Sequence, residues 1–198
     1  ISLECSYNQI NIIPINNLTN LSVLSCGNNQ INVLNVSGLT NLINLNCSWN
    51  YIQNINLTGL SNLQFLNLAH NQINILDLSG LNNLINLDCS MNQIQNLDVN
   101  THITLESLVC FQNQLSILEV NNLTNLNRLS CEANYLSQLN ISNLTNMVNL
   151  FISNNPITSI NVNGFVNLET FVCNNNQLSA VDLSGLVNLK NFQCKENN

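Results

Sequence analysis

Residues 42–62 read LINLNCSWNYIQNINLTGLSN, and the rest of the chain is this stretch written over again. Leu42, Leu45, Cys47, Asn50 and Ile52 mark its first half, and Ile55, Leu57 and Leu60 are the apolar positions of its second. Leu63 opens the next copy, 21 residues after Leu42. Asparagine returns at that step without a miss, at Asn8, Asn29, Asn50, Asn71, Asn92, Asn113, Asn134, Asn155, Asn176 and Asn197. Cysteine keeps the same step at Cys5, Cys26, Cys47, Cys89, Cys110, Cys131, Cys173 and Cys194, with Leu68 and Ile152 in the two gaps. Units of this size cannot bury their apolar faces alone, so they stack and share one core.

Composition narrows the function. Charged residues are 7% of the chain, the net charge is −7, and Arg128, Lys190 and Lys195 are the only strong cations. Three cations cannot neutralise a row of phosphates, which excludes nucleic acid as a partner and disfavours anionic membrane surfaces. No apolar run approaches the roughly 18–20 residues of a spanning helix, so direct membrane insertion is not expected. Eight cysteines would suggest a disulfide framework in a short secreted chain. Here each stands where other repeats carry Leu68 or Ile152, and the reading is a buried ladder of free thiols acting as small hydrophobes. The chain starts at Ile1 and stops at Asn198 inside repeats. The expectation is therefore a single solenoid over 1–198, a segment of a longer chain without its caps.

Within one repeat, Leu45-Asn46-Cys47 alternates with period two, the strand signal. Leu45 and Cys47 should point in and residues 44, 46 and 48 out, and copies laid side by side make one parallel sheet. Asn50 follows where the backbone must turn; its carboxamide can accept from a buried N–H and donate to a buried C=O at once. The ten Asn of this column are predicted to be structural. Ile55 and Leu57 alternate again, predicting a short second strand or extended segment on the opposite face, with no room for a helix. Gly38, Gly59, Gly80, Gly164 and Gly185 share a turn position that asks for positive φ or close packing. A second asparagine column, which includes Asn41, Asn62 and Asn83, should join adjacent turns through its amides.

The pattern Leu-x-x-Leu-x-Cys-x-x-Asn-x-Ile/Leu resembles the leucine-rich repeat family along the whole chain, and its repeat length looks like the bacterial Cys-type class. That resemblance implies an α/β-class solenoid: a right-handed horseshoe of about ten coils with a parallel β-sheet on the concave face. The convex face would carry short extended or 3-10 segments and little or no α-helix. It also implies a family that binds other molecules through the concave face, with no catalytic residues to carry over.

Function in such a chain belongs where copies disagree. Among outward positions, Trp49, Phe65, His70 and Met91 form one candidate ligand-binding cluster in consecutive repeats. Val109, Phe111, Phe151 and Val172, with Arg128 and Glu132 among them, form a second. Aromatic and Arg side chains are the usual anchors of interfaces. Asp77, Asp98 and Glu119 stack in three successive repeats and read as solvated charge rather than a cation site. His102 stands where other repeats carry Leu39, Leu60, Leu81 and Leu123, and Ile103 is expected to turn inward to fill the hole. There is no metal-ligand spacing, phosphate loop or serine-nucleophile motif, so neither cofactor nor metal nor enzymatic activity is expected. The sequence thus predicts a non-enzymatic module of a secreted or cell-surface bacterial protein, recognising a protein or glycan on its concave sheet. The alternative is a structural spacer, or a subunit docked permanently in a larger surface complex.

Overall fold

A computed structural model describes residues 1–198 as a stack of coils around one ten-stranded parallel sheet. Its strands are β1 (Ser2–Glu4), β2 (Val23–Ser25), β3 (Asn44–Asn46), β4 (Phe65–Asn67), β5 (Asn86–Asp88), β6 (Ser107–Val109), β7 (Arg128–Ser130), β8 (Asn149–Phe151), β9 (Thr170–Val172) and β10 (Asn191–Gln193). Each strand pairs only with its neighbours in chain order, at an offset of one repeat: Leu24 faces Leu45, and Leu45 faces Leu66. A parallel sheet in sequence order obliges every connection to loop back beside the previous one, which makes a solenoid. Backbone pairing continues past the three-residue strands: Cys47 N–H donates to Asn67 O at 3.0 Å, Trp49 to Ala69 at 2.8 Å and Asn50 to His70 at 3.1 Å.

The second half of each repeat contains no helix and no strand. No second strand forms around Ile55 and Leu57, and from Leu57 the chain closes through successive turns, Leu60 N–H donating to Leu57 O at 3.2 Å and Leu63 N–H to Leu60 O at 2.9 Å. Gly59 sits at φ +85° in the first of these turns, a conformation that suits glycine. The repeat with Asn100-Thr101 closes the same turn, His102 N–H to Val99 O at 3.0 Å, with no positive φ there. Thr cannot follow glycine into that region cheaply, so the turn changes type while its length stays constant. No helix of the chain is long and apolar enough to cross a membrane.

Leu45, Cys47, Ile52 and Leu60 are fully buried, and equivalents from neighbouring coils join them in one continuous core. All eight cysteines are free thiols: Cys26, Cys47, Cys89, Cys110, Cys131 and Cys173 are buried, Cys5 is half-buried and Cys194 exposed. Burial pushes the Cys26 and Cys173 thiols up to about 12, so they stay protonated and unreactive. His102 departs from expectation. It fills the leucine position itself at 3% exposure, while Ile103, expected to turn in, is 59% exposed. Because the turn keeps its length, side-chain directions cannot shift by one residue. His102 Nε2 lies 3.1 Å from Leu78 O, and Nδ1 is buried with no partner.

The asparagine column joins coil to coil. Asn50 Nδ2 donates to Cys47 O and Ser48 O of its own coil and to Cys26 O of the coil before, each at 3.1 Å. Its Oδ1 accepts from Ile31 N–H of that earlier coil at 2.9 Å. The arrangement recurs through the stack, for example at Asn92 and Asn134. On the other side, Asn62 Nδ2 donates to Thr40 O at 2.9 Å and Asn83 to Ser61 O at 2.8 Å. Where that second column breaks, Thr104 Oγ1 donates to Leu84 O at 2.6 Å.

Candidate binding surface

Residues at the third position of each strand project from the sheet opposite the buried core leucines. In the first half of the stack they are polar, and Glu4, Asn46, Asn67 and Asp88, though not Ser25, serve the turn that follows. Asn46 Oδ1 accepts from Ser48 N–H at 3.1 Å, Asn67 Oδ1 from Ala69 N–H at 3.0 Å and Asp88 Oδ1 from Ser90 N–H at 3.0 Å. The Ser48 and Ser90 hydroxyls add bonds to the same oxygens, at 2.8 and 2.6 Å. Such side-chain caps satisfy an amide that the turn would otherwise leave open. They also correct one expectation: the position after the cysteine does not point out. Ser48, Ala69, Ser90 and Ser153 are buried, and a Cβ on Gly27 would come within 3.1 Å of Ser48 Oγ. Phe111, in this column, is therefore half-buried at the turn rather than standing on the open sheet.

In the second half the projecting residues change character. Val109, Ser130, Phe151 and Val172 face one another across β6 to β9, with Arg128 and Asn149 opposed in the column alongside. Val109 and Phe151 offer no acceptor to the amides of Phe111 and Ser153. The Arg128 guanidinium carbon lies 5.1 Å from the centroid of the Phe151 ring, within cation–π range. The one ion pair of the chain joins Lys190 to Glu169 at 2.7 Å, so Arg128 has no carboxylate of its own. Glu132 stands half-buried beside this patch and accepts from Ser130 Oγ at 2.5 Å. Burial raises its carboxyl above the usual value, against the lowering effects of that bond and of Arg128.

Of the first cluster, the fold brings only Trp49 and His70 together. Their rings stack with centroids 3.4 Å apart and planes 15° from parallel. Phe65, 37% exposed, lines a separate shallow depression of about 360 Å³ on the sheet with Asn44, Asn67, Asn86 and Asp88. Met91 follows one coil beyond His70, half-buried. Sequence reasoning missed what governs this column. Tyr7, Asn28, Trp49, His70, Met91, Gln112, Ala133, Asn154, Asn175 and Glu196 all have positive φ, between 50° and 59°. The signal available was the recurrence of Asn at Asn28, Asn154 and Asn175, since Asn tolerates the left-handed region better than most residues.

The two aspartates of the acidic column on the convex side do turn work, and Glu119 makes no such bond. Asp77 accepts from Ser79 N–H at 2.8 Å and Asp98 from Asn100 N–H at 3.1 Å; the first of these bonds lowers the Asp77 carboxyl below its ordinary value. No three His, Cys, Asp or Glu side chains cluster so as to hold a metal ion.

Solved structures share this architecture. The functional domain of InlJ from Listeria monocytogenes, which includes a cysteine ladder, is 29% identical with a TM-score of 0.83 over 98% of this chain. This chain spans 48% of that one, about half its length. An internalin C2 from the same organism is 27% identical at a TM-score of 0.76, the match covering 82% of this chain and 76% of that one. A Leptospira interrogans LRR protein, 23% identical at a TM-score of 0.74, covers 96% of this chain and 59% of its own, and at that distance shows the fold alone. No family model and no curated protein sequence matches the chain.

Proposed function

The chain is a leucine-rich repeat solenoid with the cysteine-bearing repeat of bacterial members, and on that premise we propose that it is a non-enzymatic binding module taking a protein partner on its concave sheet. The contact is the patch of Val109, Arg128, Phe151 and Val172, in a secreted or cell-surface bacterial protein. One observation carries the reading. At Val109 and Phe151 the chain gives up the turn-capping acceptor that Asn46, Asn67 and Asp88 supply elsewhere. Departures from a scaffold's own rule, with no gain to the fold, are where function is to be sought. What replaces the acceptors is apolar surface around a guanidinium that lies over an aromatic ring and forms no salt bridge, with Glu132 nearby, the composition of an interface hot spot.

The test is quantitative capture of partner proteins by the purified chain, compared with Phe151→Ala and Arg128→Glu. Anchors of this kind cost about 2 kcal/mol or more on truncation. The expected loss of affinity is therefore about 30-fold for Phe151→Ala. Asn86→Ala, on the polar half of the same sheet, should bind as the parent does. Equal capture by all four proteins overturns the reading.

A further inference from the structure

We infer that the sheet edge at Trp49 is a second binding site, built for the ring of a neutral carbohydrate. Trp49 is not on the concave strand column but in the loop that follows β3, at φ +56°. Non-glycine residues in that conformation cost about 1–2 kcal/mol, and Asn bears it best. The fold is served by Asn28, Asn154 and Asn175 at the same position of other coils. A tryptophan there, 52% exposed, does nothing for the core.

Its surroundings show what it is for. The stack on His70 immobilises the indole, and beside the pair lies a shallow depression of about 390 Å³ lined by Asn28, Asn29, Trp49, Asn50, Tyr51 and His70. That volume is within the range of small-ligand sites, about 300–1,000 Å³. Asn29 and Asn50 are committed to the backbone ladder. The Asn28 carboxamide and the Tyr51 hydroxyl are left to meet a ligand, and no Asp, Glu, Lys or Arg lines the depression. Burial keeps the His70 imidazole below its ordinary value, so this lining is uncharged at neutral pH.

The ligand class follows from the chemistry. An anion would find no cation, and a purely apolar ligand would waste an amide and a phenol. A sugar ring presents a C–H face to lie on an indole and hydroxyls for Asn28 and Tyr51. This inference stands apart from the concave-face reading, and its variants leave Arg128 and Phe151 intact.

Trp49 is the only tryptophan, so its fluorescence reports this site alone. The purified chain is titrated with maltotriose, triacetylchitotriose, mannotriose and lactose, with heparin and an acidic peptide as charged probes. At least one neutral sugar should change the emission saturably. Asn28→Gly, which keeps the left-handed turn, and Tyr51→Phe should each weaken that response about fivefold. Trp49→Asn should melt no lower than the parent and lose the binding by calorimetry. The inference is overturned if no neutral sugar gives a saturable change, if only the charged probes bind, or if Trp49→Asn unfolds and so exposes a structural role for the stack.

Discussion

Asn67 and Val109 occupy the same position of the repeat two coils apart, on the same face of one sheet, yet they answer to different demands. Asn67 spends its side chain on the Ala69 amide, at 3.0 Å. Val109 spends nothing on the turn and presents a branched apolar group to the surface instead. The polar half of the concave face, through Asp88, is thus largely scaffold, even where it looks like a recognition surface of amides. The other half gives that bond up at Val109 and Phe151, while after Val172 the Asn174 amide is taken by Ser153 Oγ of the neighbouring coil at 3.0 Å. Exposure alone does not separate the two, because residues of both are half-buried; the hydrogen bonds do.

That contrast assumes a common frame beneath both halves, and the largest expected effect tests the frame. Asn92 donates to Leu68 O, Cys89 O and Ser90 O at 3.0–3.1 Å and accepts from Ile73 N–H at 2.9 Å. Each stranded buried group costs about 1–3 kcal/mol. Asn92→Leu should therefore lose about 3 kcal/mol or more in a denaturant titration, and Asn92→Asp should also destabilise by removing the donors. A variant that unfolds with the parent would show that these bonds do not hold the coils together.

His102 lies between the halves, in the turn linking β5 to β6. Its buried Nδ1 has no partner, and Leu78 O already accepts from Leu81 N–H at 3.1 Å. His102→Leu, restoring the residue of the other coils, should gain about 1–2 kcal/mol. For a chain of this size that raises the melting temperature by about 2–8 °C.

A reciprocal exchange probes the contrast directly. Asn67→Val should lose about 1 kcal/mol as the Ala69 amide goes uncapped, and Val109→Asn should gain about 0.5–1 kcal/mol by capping Phe111. Both are read by denaturant midpoint. If the two substitutions move stability in the same direction, the halves do not differ in the cap at this position.

The smallest effect concerns Glu132, whose carboxyl is raised by burial. A group with a raised folded-state value contributes stability below its unfolded value, about 4.3, and loses that contribution as pH rises through the folded one. At neutral pH its charge therefore weighs against the fold. Glu132→Gln should raise the melting temperature by about 1–2 °C at pH 7, and the gain should vanish near pH 3.5. A gain that persists in acid would point to packing instead.

The period of the repeat, the parallel sheet, the inward cysteines and the structural role of the Asn column could all be read from residues alone. Copies with Leu45, Cys47 and Asn50 at constant spacing leave a chain one way to bury its apolar faces. Which coil each carboxamide reaches was not legible, because Asn50 donates to Cys26 O and accepts from Ile31 N–H, partners that exist only once coils are stacked. The left-handed backbone under Trp49, His70 and Met91 showed only in the Asn that other coils carry at that position, not in those residues themselves. Among the candidates, the sequence could say which positions vary. Only the tertiary structure separated Asn67 from Val109, since whether a side chain is free to meet a partner depends on whether a backbone amide two residues on has already claimed it.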